Sequence, residues 1–244
     1  MPLFILSILI QVALVIHIVK TGRSTTWIWI VVMLPVAGSI AYFVLEVLPG
    51  LTQSRAGRSA GKKVQSVLNP NRDINQAANN YAISDTVQNS LRLAEECYSK
   101  GMFEDARALF EKCLKGLHAD DPDIMLGIAK SDFELGQYAQ TRTMLDKLIE
   151  LNPDFKNQDA HLLYARTLEK LNNVSEALHE YETLHEYYSG PDASYYYGCF
   201  LESQNQPDSA KTVFEGILQH AKNAGKHYNS MHKDRLRQVK NKLD

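Results

Sequence analysis

The stretch GMFEDARALFEKCL, residues 101–114, recurs with variation along the chain. It returns as GQYAQTRTMLDKLI from Gly136, NNVSEALHEYETLH from Asn172 and NQPDSAKTVFEGIL from Asn205. The starts lie 35, 36 and 33 residues apart. A period of about 34 residues fits two helices and a tight turn. One such unit cannot bury its apolar face alone, so the units must stack into a solenoid. The chain is therefore read as an all-α binding scaffold and not as an enzyme.

Aligning the copies puts a small residue where the first helix of each repeat, helix A, crosses the second, helix B: Ala94, Ala129, Ala165 and Gly198. Helix B answers with Ala106, Thr141, Ala177 and Ala210, each followed four residues later by Phe110, Leu145, Tyr181 or Phe214. Small residues let the helices approach, and the large ones fill the space between neighbouring repeats. Pro153, in LNPDF, closes the second repeat because proline cannot continue a helix. Over residues 86–220 this pattern resembles the tetratricopeptide family, with Ser90, Met125, His161 and Ser194 where the family often carries Trp.

The resemblance implies about four repeats and a protein or peptide ligand held in a concave groove lined by helix A. It places Tyr98, Leu126, Lys130, Phe133, Arg166, Glu169, Lys170 and Tyr195 there. Aromatic rings beside Lys and Arg suit a peptide or an acidic chain end, combining apolar area with charge-assisted hydrogen bonds. The alternative is that these are ordinary solvated positions with some packing inside the stack. Lys130 and Arg166 share one repeat position on consecutive A helices, and both are expected to be exposed.

The last repeat needs a cap, and residues 221–244 supply a basic helix for it. Leu236, Val239 and Leu243 share one helical face, with Tyr228 and Met231 near it two turns earlier. Lys233, Arg235, Arg237, Lys240 and Lys242 are then expected on a solvated face.

The first 50 residues are of another kind. Residues 3–19 are interrupted only by Ser7, Gln11 and His17. Seventeen residues at about 1.5 Å each just cross a bilayer core of roughly 30 Å. No basic start or small-residue cleavage site marks a secretory signal, so the segment is expected to be retained. Residues 27–48 read as a second span, and the seven residues 20–26 allow only a tight turn between them. Trp27 and Trp29 suit the membrane boundary. Pro35 bends the second span, and Ala37, Gly38, Ser39 and Ala41 form a small-residue surface for the first helix. Glu46 is read as reaching water at the boundary. Lys20 and Arg23 lie in the turn, whereas Arg55, Arg58, Lys62 and Lys63 follow the second span. This excess favours a cytoplasmic linker and repeat domain at a bacterial inner membrane, with the turn outside.

Trp27, Pro35, Gly38 and Tyr42 in WIWIVVMLPVAGSIAYF give residues 1–50 a resemblance to the two-helix membrane segment that precedes the catalytic domains of bacterial cardiolipin synthases. Those enzymes act through two copies of H-x-K-x-x-x-x-D. This chain has one H-x-K, at His220, Ala221 and Lys222, and His227 stands where Asp is required. The resemblance implies a shared anchor, and the missing motifs argue against phosphatidyl transfer.

Residues 51–85 read as a polar linker, a tether over the membrane surface with a short helix around 62–68 and basic side chains near lipid headgroups. Residues 86–220 carry 23 acids against 12 Lys and Arg, and residues 221–244 seven basic residues against two acids. The near-neutral total is thus a sum of opposite blocks, and a nucleic-acid partner is not expected. Cys97, Cys113 and Cys199 have no paired spacing and fall on apolar helix faces, so free thiols are expected. No Gly-rich phosphate loop and no metal-ligand spacing occur, so no cofactor or metal is expected. Two functions remain: a membrane-anchored adaptor that recruits proteins, or a non-catalytic accessory of phospholipid or envelope synthesis. Partner identity and oligomeric state stay open.

Overall fold

The computed structural model describes residues 2–22, 24–47 and 69–244, and every regular element there is helical. The chain divides into two compact units, Met1–Arg72 and Asp73–Asp244. The basic residues of the linker and its expected helix at 62–68 lie outside the described residues.

In the first unit α1 covers Pro2–Thr21, α2 Thr26–Met33 and α3 Pro35–Tyr42, followed by a π-helical turn at Phe43–Val47. The second apolar stretch is therefore not the continuous span expected from sequence. A proline disfavours the helical conformation in the residue before it, and Leu34 sits at φ −123° and ψ 78°. Pro35 then opens the next helix, where its missing N–H costs nothing. The chain turns back on itself there. The rings of Trp27 and Tyr42 are 5.4 Å apart, though a straight helix would separate them by about 22 Å. The Trp27 Nε1–H donates to Glu46 Oε1 at 3.2 Å, so Glu46 is tied to the start of α2. Gly38 makes the fold-back possible, since a Cβ there would stand 2.2 Å from the Ile30 carbonyl oxygen. Its small side thus serves α2, not the first helix as expected. Ile18, Val31 and Tyr42 form the buried centre of this unit. Among the described residues no helix is long and apolar enough to cross a membrane.

The second unit holds the repeats as antiparallel pairs. Helices A are α5 (Val87–Ser99), α7 (Pro122–Glu134), α9 (Gln158–Lys170) and α11 (Asp192–Ser203). Helices B are α6 (Phe103–Cys113), α8 (Tyr138–Leu151), α10 (Val174–Tyr187) and α12 (Pro207–Asn223). Every A-to-B turn uses a left-handed residue at the same place: Gly101, Gly136, Asn172 and Asn205, with φ from 58° to 76°. These are the residues that open the four sequence copies. Each lets the next N–H reach back to close helix A, as Met102 does to Cys97 at 2.9 Å and Asn173 to Leu168 at 2.9 Å. Glycine takes this conformation freely, and asparagine is the side chain that tolerates it best.

All the crossing residues read from sequence are buried: Ala94, Ala129, Ala165 and Gly198 on helix A, and Ala106, Thr141, Ala177 and Ala210 on helix B. Phe110, Leu145, Tyr181 and Phe214 are buried with them. The fit is tight, because a Cβ on Gly198 would meet the Phe214 ring at 2.4 Å. Cys97 and Cys113 are buried and Cys199 is half-buried, all as free thiols, and burial raises the pKa of each.

Both ends of the stack are covered. At the front, the stretch read as a tether contains a helix, α4 (Arg72–Ile83). Ala77 is buried, Ile74 packs on the first repeat, and the Lys112 ammonium donates to the Tyr81 hydroxyl at 2.8 Å. Only Ile74, Ala77 and Tyr81 mark that face, which left the sequence without a sustained apolar period. At the back, α13 (Gly225–Met231) and α14 (Lys233–Leu243) replace the single capping helix expected over 226–243. Leu236 and Val239 are buried against α12, but the break at His232 leaves Met231 64% exposed.

Ala177→Leu is expected to overpack the third helix crossing and cost about 1–3 kcal/mol in urea unfolding of residues 72–244. A variant as stable as the parent would show that the crossing lies elsewhere.

Candidate partner-binding face

The helix A side carries Lys130, Arg166 and Lys170, the three cations placed in the groove by sequence. Elsewhere in the repeats Arg and Lys pair across elements: Arg107 with Asp132, Lys112 with Asp85, and Arg142 with Glu176. Among the described residues no carboxylate pairs with Lys130, Arg166 or Lys170. The three differ in how they are held.

Arg166 is clamped. Its guanidinium lies 4.5 Å from the Phe133 ring of the preceding repeat and 4.4 Å from the Tyr196 ring of the following one. Tyr196 in turn meets Arg235 of α14 at 4.9 Å, and Arg235 covers Tyr195 at 4.5 Å. A ladder of alternating rings and guanidinium groups thus joins helices α7, α9 and α11 to the cap. Arg235 Nε donates to Asp192 Oδ1 at 2.6 Å. Burial opposes the Arg235 charge most strongly, but the bond and charge of Asp192, together with the Tyr196 hydroxyl, outweigh it and leave the pKa raised. The planar guanidinium suits this place because it stacks and donates at once.

Lys130 is half-buried without a ring or ion-pair partner among the described residues. It lines a cleft of about 510 Å³ with Leu91, Glu95, Tyr98 and Leu126. Tyr98 packs edge-on against Phe103 at 5.3 Å, and burial raises its pKa. Phe133 and Tyr138 repeat that pair one unit later, also at 5.3 Å.

The eight residues named from sequence therefore divide. Tyr98, Leu126 and Lys130 come together in the cleft. Phe133, Arg166 and Tyr195 are brought into the ladder. Glu169 turns to helix B and accepts from the Tyr181 hydroxyl at 2.6 Å. Lys170 stands exposed at the end of α9, apart from both groups. Leu126 and Phe133, at 4% and 6% exposure, act as floor and not as contact surface. Lys130 and Arg166 are not fully exposed as expected, since both are half-buried and Arg166 is stacked. Tyr196 and Arg235 were missed. Arg235 and Lys242, expected on a solvated face, instead pair with Asp192 and Glu202 of α11.

The helix B side has a more apolar cleft of about 660 Å³, floored by Leu145, Leu148 and Phe155. At its edge His161 bonds the Tyr187 hydroxyl through Nδ1 at 2.6 Å and Glu180 through Nε2 at 2.5 Å. Both ring nitrogens are thereby used. Among the described residues no group of His, Cys, Asp and Glu is arranged to hold a metal ion.

A tetratricopeptide repeat family model matches residues 98–156 and 133–192, and a phospholipase D-nuclease N-terminal model matches residues 9–45. Tetratricopeptide repeats are protein-interaction scaffolds, and the N-terminal segment is not catalytic by itself. No curated protein matches the chain. Among solved structures, YrrB, described as a TPR protein with an unusual peptide-binding site, is 18% identical with a TM-score of 0.47, covering 59% of this chain and 73% of its own. MamA from Desulfovibrio magneticus RS-1 is 18% identical at 0.48, covering 66% and 92%.

Arg166→Gln is expected to lose both ring contacts and lower stability by about 1–2 kcal/mol. Lys130→Gln is expected to stay within about 0.5 kcal/mol of the parent, because nothing in the fold holds it. Urea titration of the two variants checks the contrast.

Proposed function

We propose that this chain, which carries tetratricopeptide repeats behind a phospholipase D-nuclease N-terminal segment, is a membrane-anchored adaptor whose helix A groove captures a protein partner. The observation that carries the binding half is Lys130. It is an ammonium with no ion-pair partner among the described residues, in a cleft lined by Leu91, Tyr98, Phe110 and Leu126 and also by Glu95, Asp121 and Asp123. Such a charge suits a carboxylate at an acidic or C-terminal end of a peptide, while the stacked Arg166 keeps the neighbouring wall rigid.

The anchoring half is supported by the first unit. Two polar side chains of α1 bond to the second stretch: Gln11 Nε2 donates to the Val31 carbonyl at 2.8 Å, and His17 Nδ1 shares a 3.0 Å hydrogen bond with the Tyr42 hydroxyl. Its outside is apolar, with fourteen large side chains from Ile8 to Leu45 exposed. A unit that bonds Gln11 and His17 internally and displays Leu, Ile and Val suits lipid as solvent. Anchoring raises the effective concentration of the groove for partners at the same surface. The repeats are then held at the cytoplasmic face of a bacterial inner membrane. The match over residues 9–45 favours a second reading, an accessory of phospholipid synthesis, and the identity of the captured partner separates the two.

Lys130→Glu should weaken capture of the main partner from mild detergent by about 10–100-fold, the value of one charge-assisted hydrogen bond. Unchanged capture with unchanged melting would move the partner off this groove. A reporter fused after Asp244 should be active in the cytoplasm, and alkaline phosphatase activity at that fusion would overturn the orientation.

A further inference from the structure

We infer that α2 and α3 form a re-entrant hairpin that dips into one leaflet, so that the turn before α2 and the linker after Val47 leave the membrane on the same face. This rests on the reading of the first unit as a membrane anchor.

Four observations converge on it. Trp27, at the start of the pair, is bonded to Glu46, at its end, so entry and exit are at one level. That level is the C-terminal end of α1, because Tyr42 is bonded to His17, one turn before Thr21. The bend lies further back along α1, since Val31 is held by Gln11. Gln11 and His17 are six residues apart, about 9 Å along a helix axis. The pair thus runs alongside α1 for a fraction of its length and returns.

Length gives the same answer. The first arm has eight residues, about 12 Å, and the second is an eight-residue helix followed by the π-helical turn at Phe43–Val47, both short against a bilayer core of roughly 30 Å. The two ends of the hairpin also differ in chemistry. The base holds Trp27, Tyr42, His17 and Glu46, an aromatic and polar set suited to the membrane boundary. The tip is Met33 and Leu34, both apolar and 73% and 56% exposed. Such a tip is stable in acyl chains and costly in water.

The charges then fall into place. In a two-crossing hairpin Lys20 and Arg23 would lie opposite Arg55, Arg58, Lys62 and Lys63, two against four. In a re-entrant one all six share a face, while residues 1–19 contain no Lys or Arg. The basic residues thus gather on one side, which marks that side as cytoplasmic.

Paired cysteine labelling tests this on the full chain, with Cys97, Cys113 and Cys199 replaced by Ala and helicity checked by circular dichroism. Ser24→Cys reports the turn and Ser54→Cys the linker, each probed with a membrane-impermeant maleimide in intact and in lysed spheroplasts. The expected result is loss of labelling at both sites in intact spheroplasts and its recovery at both on lysis. Labelling of Ser24→Cys but not Ser54→Cys in intact spheroplasts, or the reverse, would overturn the inference and restore two crossings. Release of the chain by alkaline carbonate would instead overturn the anchorage beneath it.

Discussion

The repeats stand on how closely helix A can approach helix B. Ala94, Ala129, Ala165 and Gly198 carry little or no side chain at the crossing, and the facing Ala106, Thr141, Ala177 and Ala210 are also small. The axes can then close up until the large residue four positions on fills the next gap. At Gly198 the contact is so close that Phe214 lies where a Cβ would be. Close crossings also demand a short link between the helices, and the left-handed Gly or Asn at each turn provides it. Once one pair is set, its outer face is a template for the next, and the apolar clusters run on from repeat to repeat. The stack ends only where α4 and α14 lay a sparsely apolar face over it.

Charge acts on a second level. The repeats are acidic, and Arg107, Lys112 and Arg142 are held in pairs that tie elements together. Exposed pairs of this kind are worth little each. The ring and guanidinium ladder differs, because Arg166 and Arg235 add apolar stacking to charge and cross four elements. It makes one part of the helix A face rigid. Lys130, one repeat earlier at the same position, has no such role.

The first unit is set by a different constraint. Gln11 and His17 bond α1 to the second stretch, and Leu34, held out of the helical region by Pro35, sets its geometry. The fold-back depends on Gly38 alone having no Cβ to strike Ile30. One proline and one glycine thus convert a stretch long enough to span into two short helices that cannot.

Much of this was legible in the sequence. The period, the small and large crossing residues and the helix class follow from local pattern, because each repeat solves the same packing problem with the same residue types. Leu236 and Val239 were legible as a cap for the same reason. The tertiary structure decided what depends on distant residues. Sequence spacing made Lys130 and Arg166 equivalent, but only the stack brings Phe133 and Tyr196 to the two faces of Arg166. Arg235 looked solvated until α14 folded back onto Asp192, 43 positions earlier. The helix at 72–83 was hidden because three residues suffice for its contact. The hydropathy of residues 27–48 could not tell a bend from a reversal, since a proline permits either and the choice lies in whether Gly38 can close on Ile30.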